Sequence, residues 1–163
     1  MTTTSDLMRA VEEAWAEVPA PPLLELRLTG WGLSQEEADA FVDLAPMEVD
    51  IDSVGFLMAE FLFDLPPEAA AAYLGTFLRA VMQSLRDQER VGVFGDALTR
   101  AHLITCLKDR GFWEEVIAAH LTGRRLEVLL DVVEHLVRER KALGLDDGDI
   151  GTLRARVSGS LRG

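Results

Sequence analysis

His102 and Cys106 stand four residues apart in a stretch of helical periodicity, a spacing that brings two side chains to one helix face. Imidazole beside thiol serves either zinc binding or nucleophilic catalysis. Zinc needs two further ligands, and the chain has one cysteine and no CxxC or HxxxH pair to supply them. A Cys–His nucleophile needs an orienting third group and an oxyanion site, which belong at a helix start rather than in its middle. Ordinary packing is therefore expected for Cys106, and a surface or capping place for His102.

His135 falls between Asp131 and Glu139, four residues away on either side. On one helix face these carboxylates favour the protonated ring and make a pH-sensitive cluster. The plainer expectation is a solvated face with weak pairs four residues apart. Glu48, Asp50 and Asp52 alternate and share a face if the chain is extended there, which suits a hard cation. Asp147 and Asp149 sit beside Gly148 and Gly151, but the EF-hand spacing is missing and no glutamate closes the loop. Helix capping by Asp52 and a solvated turn over 146–149 are the expected roles, and no metal or cofactor is expected. Gly92 and Gly95 lack the GK[ST] of a phosphate cradle, and no nucleophile elbow, dinucleotide fingerprint or HExxH motif is present. Without a catalytic constellation, a non-enzymatic role is expected.

Positioning these side chains falls to elements that the hydrophobic periodicity marks as helical. Ser5 and Asp6 can cap a first helix with Leu7, Val11, Trp15 and Val18 on one face, stopped by Pro19, Pro21 and Pro22. Leu24, Leu26 and Leu28 alternate with polar residues, but no second alternating run exists for pairing, so an extended connector is expected, with a turn around Trp31. Ser34 and Glu37 have the form of a capping box, opening a helix with Phe41, Val42 and Leu44 that ends before Pro46. The apolar run from Val54 to Phe63, with the Pro66–Glu68 helix start, predicts a buried helical hairpin over residues 53 to 86. Its second arm carries a narrow polar stripe of Thr76, Arg79, Gln83 and Arg86.

Asp96 can cap a helix closing near Gly111, and Phe112 to Leu121 forms a short one with Trp113, Val116 and Ile117. Thr122 opens the clearest amphipathic helix, with Leu126, Leu129, Leu130, Val133 and Val137 inward and Gly144 as the stop. Asp149 opens a weak final helix carrying Leu153 and Val157, fraying at the C-terminus. The expected fold is all-α: a single-domain orthogonal helical bundle over residues 1–163, of about six to eight helices around the central hairpin.

A chain of 163 residues can bury one sizeable core. At 48% hydrophobic and 27% charged it is neither a disordered polymer nor collagen-like. No apolar run is long enough to span a bilayer, since even Ala69–Met82 carries Thr76 and Arg79, so no membrane association is expected. The N-terminal MTTTSDLMRA lacks the layout of a secretory signal, and one cysteine excludes an internal disulfide framework; both fit a cytoplasmic location. Net charge is −12, unevenly spread. Residues 1–68 hold fifteen Asp and Glu against Arg9 and Arg27, a net of −13; residues 69–163 hold thirteen acidic and fourteen basic residues, a net of +1. Such a field favours a basic partner and opposes direct binding to nucleic acid.

The stretch from Phe61 to Leu85 resembles a poorly characterised family of small all-helical bacterial proteins of immunity or accessory type. The matching residues are Phe61, Leu62, Pro67, Glu68, Tyr73, Phe77, Leu78 and Arg79, with Leu121 and Thr122 opening the later helix. Ala72 and Gly75 depart from that pattern, where a second tyrosine and a proline would stand. The resemblance carries over no enzyme chemistry and implies a role as an immunity or accessory protein in bacterial competition.

Charge and resemblance together predict a protein-binding module whose acidic part occludes a basic protein surface, such as that of a toxin. The expected contact residues are Glu36, Glu37, Asp39, Asp43, Glu48, Asp50 and Asp52, with Trp31 as a candidate aromatic anchor against the plainer expectation that it plugs the core. Two alternatives remain open: a small-molecule sensor or enzyme with a pocket between helices, and a helical accessory subunit whose apolar hairpin supports a homodimer.

Overall fold

A computed structural model of the chain describes residues 2–21, 43–49, 61–91 and 97–162. Among these, every regular element is helical and none is a strand, as the periodicity predicts. In chain order they are α1 (Thr4–Trp15), α2 (Phe61–Asp64), α3 (Pro67–Val91), α4 (Ala97–Lys108), α5 (Arg110–Phe112), a π-helical segment (Trp113–Ala118), α6 (Gly123–Arg138), α7 (Arg140–Leu143) and α8 (Asp147–Arg162).

The central element is α3, at 25 residues the longest described helix. Pro67 sits at its first position, where the missing amide costs nothing, and Glu68 complements the positive end of the helix. Ala69 to Leu78 are all buried, so this helix is wrapped by its neighbours rather than laid on a surface. It packs against α1, α2, α4 and the π-helical segment, while α6 takes the other side of α1 and supports α8. The second arm of the predicted hairpin is thus present as α3; the first is described only over α2, and residues 50–60 lie outside the described residues. The expected connector and turn also lie outside them, as does the expected second helix up to residue 42; its expected last turn, 43–45, is irregular rather than helical, and the Leu44 carbonyl turns to α3 instead.

The N-terminus of α1 is set by Thr3 rather than by Ser5 or Asp6. The Thr3 hydroxyl accepts from the Asp6 amide, and the Asp6 carboxylate accepts from the Thr3 amide at 3.0 Å, a reciprocal capping box. These bonds hold the Asp6 carboxyl below the usual carboxylate range. Leu7, Val11 and Trp15 face the core as predicted. Trp15 reaches α3 at Gly75, where a Cβ would lie 2.4–2.6 Å from indole ring carbons. The glycine at the family-pattern departure is therefore the hole that admits this tryptophan.

Helix α4 closes at Lys108, earlier than the predicted Gly111, because extended Asp109 caps the next helix by accepting from the Phe112 amide. The stretch 146–149 is solvated over Asp146–Gly148 as expected, but it is the cap and first turn of α8 rather than a free turn. Asp146 and Asp149 each accept from the other's backbone amide, at 2.8 and 3.1 Å. Asp149 also pairs with Lys108 of α4, and this partner first, then the Asp146 amide, lowers its carboxyl pKa. With Ile150, Leu153 and Val157 buried, α8 is a docked sixteen-residue helix, where the sequence suggested a weak one.

Candidate functional site

The polar stripe of α3 has a specific task. Tyr73 donates to the Leu44 carbonyl at 3.1 Å, Thr76 to Pro46 at 2.7 Å, and Arg79 to Met47 and Val49 at 3.0 and 2.6 Å. Four donors from one helix face therefore satisfy four of the six carbonyls of the segment 44–49, an irregular stretch with no helix or sheet to satisfy them. Gln83 and Arg86, further along, bond to each other, and Gln83 also to Asp87.

Two of the expected contact residues stand on this pinned segment. Asp43 and Glu48 are both exposed. Asp43 has a positive φ of 61°, a left-handed conformation that Asp and Asn tolerate better than most residues. Its charge adds to burial in pushing the Tyr73 phenol upward, so the carboxylate acts at the site where the segment meets α3. Glu48 accepts from the Ala45 amide at 3.0 Å, tying the turn to itself. Trp31, Glu36, Glu37, Asp39, Asp50 and Asp52 lie outside the described residues.

The residues with the chemistry of nucleophiles and bases face inward. His102 is 2% exposed, contrary to the surface or capping place expected for it, and its ring meets Phe63 and Phe77 edge-on. Burial drives its pKa down to about 4, so it is neutral at physiological pH. Cys106 is fully buried with its Sγ 3.9 Å from the His102 ring nitrogens, and burial, then the charge of Asp109, pushes its thiol up to about 12. A protonated thiol beside a neutral, dry imidazole is packing, as expected for Cys106. His135 corrects a second expectation. It is buried at 5% rather than solvated, and its Nε2 shares a 2.8 Å hydrogen bond with the Thr4 hydroxyl across the α1–α6 contact. The carboxylates four residues away signalled a surface, while the inward face of α6, running through Val128, Val132 and Leu136, includes position 135.

No group of three or more His, Cys, Asp or Glu side chains is arranged to hold a metal ion among the described residues. Nor is any described helix long and apolar enough to cross a membrane.

A feature that periodicity did not reveal lies where the π-helical segment, the start of α6 and the end of α8 meet. A groove of about 490 Å³ has Trp113, Ala118, Leu121 and Leu126 along it, with Arg156 and Gly159 contributed by α8. Five α-helical steps would leave Trp113 and Ala118 about 140° apart. The wider π turn, closed by bonds five residues apart, allows both to line one groove. No sequence signal marks such a turn.

No protein-family model matches the chain, and no curated protein or solved structure matches it either.

Proposed function

We propose that this chain is a non-enzymatic protein-binding module whose acidic N-terminal part docks a basic protein surface. Its most concrete form is a cytoplasmic immunity protein that covers the cations a toxin would otherwise present to nucleic acid. The observation that supports this reading is the pinned segment 43–49: exposed Asp43 and Glu48 are carried on backbone held to α3 by four hydrogen bonds. Carboxylates on a pre-ordered segment lose little conformational freedom on binding, and the surrounding net charge of −13 over residues 1–68 speeds encounter with a cation-rich surface. The inward burial of His102 and Cys106 supports binding over catalysis at that pair.

The test is affinity capture from host extract on the immobilised 163-residue chain, beside a chain carrying Asp43→Asn and Glu48→Gln. Asn tolerates the left-handed backbone at 43, and Gln keeps an acceptor for the Ala45 amide, so only charge is lost. The expected result is a basic protein released by moderate salt and held more weakly by the neutralised chain. A captured partner that is acidic, or one that both chains retain equally at every salt concentration, contradicts the reading.

A further inference from the structure

The groove between the π-helical segment, α6 and α8 combines apolar walls with one well-placed cation, and its use is independent of the acidic face. Trp113, Leu121 and Leu126 supply the apolar surface. Arg156 is anchored from behind, one of its amino groups donating to the Lys108 carbonyl at 2.7 Å. Among the described residues its Nε is buried and meets no acceptor, and no carboxylate pairs with the guanidinium. The guanidinium charge is therefore not neutralised by a protein carboxylate, and its part-exposed amino groups are the donors a ligand in the groove can meet.

A second polar feature borders the same space. Thr122, the N-cap residue of the sixteen-residue α6, lines the groove, yet its side chain makes no capping bond and no acidic residue occupies the first turn. The first turn of that helix therefore offers no carboxylate of its own to its positive end and carries Arg124 and Arg125 instead. Ser160 adds a hydroxyl. A volume of about 490 Å³ lies in the range of small-molecule sites.

We infer that this groove binds a small amphipathic anion: a monocarboxylate whose head pairs with the Arg156 guanidinium and whose apolar body lies along Trp113, Leu121 and Leu126. A guanidinium held in place by Lys108 offers a carboxylate its forked donors with little ordering cost. The apolar body supplies most of the affinity, and the head sets orientation and selects against neutral analogues.

The test uses the 163-residue chain with octanoate, its neutral analogue octanol and the bare head group acetate, followed by titration calorimetry and by amide NMR shifts at Trp113 and Thr122. Octanoate is expected to bind at least tenfold more tightly than either octanol or acetate. Arg156→Gln should remove that preference for octanoate over octanol. Since Arg156 also tethers α8 to Lys108, a second variant guards against a merely unfolded protein. Gly159→Leu places a side chain where a Cβ meets nothing within 4 Å, so it adds bulk to the groove lining without a clash at the Cβ and should weaken octanoate at least tenfold with a melting temperature no lower than that of the unaltered chain. Absence of octanoate binding at millimolar concentration, equal binding of octanol, or octanoate binding indifferent to Gly159→Leu would each overturn the assignment.

Discussion

Gly75 and Trp15 form the tightest residue-scale dependence in the core. Because a methyl at 75 would overlap the indole ring, and α3 is fixed by neighbours on several sides, Gly75→Ala should cost about 1–3 kcal/mol, measured by urea unfolding. The same change at Gly159 meets open space and should be neutral or stabilise by up to about 1 kcal/mol through helix propensity. The two glycines look alike in sequence; only the indole distinguishes them. His102 makes a second prediction. Its folded pKa of about 4 lies below the ordinary imidazole value of 6.5, so between those values the unfolded chain binds the proton and the folded one does not. Stability should therefore be complete above about pH 6.5 and fall steadily toward pH 4. Melting curves across that range should show the slope, and His102→Leu should flatten it. The lowered carboxyls of Asp6 and Asp149 contribute in a separate window, their stabilisation present above 3.8 and lost below it.

At the scale of elements, the pairing of α3 with segment 44–49 converts a helix face into a template for irregular backbone. Arg79→Met keeps the length of the side chain and removes both of its donors to Met47 and Val49, a loss of about 2–3 kcal/mol. Hydrogen exchange should show faster exchange in residues 43–49 while the circular dichroism stays helical. Global loss of helix in this variant would mean that the bonds hold the bundle rather than the segment. The stripe Thr76–Arg79–Gln83–Arg86 was readable from its spacing, because polar residues recurring every three or four positions on an apolar helix stand out. What it bonded to was not, since carbonyls of a distant loop carry no sequence signature. Helices α3, α6 and α8 were legible for the same reason, through proline, threonine and aspartate at their starts; the stop expected at Gly144 was displaced, since α6 ends at Arg138 and Gly144 closes the short α7. The burial of His102 and His135 was hidden because histidine reads as polar, and the carboxylates beside His135 reinforced that reading. The π turn at Trp113 was hidden because a one-residue widening leaves the apolar order unchanged.

The molecule as a whole sets acid in one part against near-neutrality in the other, around a core that α3 links to α1, α2, α4 and the π-helical segment. Stability resting on that apolar core should be indifferent to chelation, and a melting temperature that falls by more than a few degrees in EDTA would contradict it. Of the eight residues expected to meet a partner, Asp43 and Glu48 stand on the pinned turn and are exposed, and the other six lie outside the described residues. The charge asymmetry itself was fully legible, as it needs only counting. The most direct test of the docking account is the association rate of the captured partner, followed against ionic strength. It compares the unaltered chain with one carrying Asp39→Asn, Asp43→Asn, Glu48→Gln, Asp50→Asn and Asp52→Asn, after melting curves show both folded. The account predicts an association rate at least tenfold slower for the neutralised chain at low salt, the two converging as salt rises and screening contracts the field to roughly 8–10 Å. Equal association rates at low salt, with no dependence on ionic strength in either chain, would contradict it.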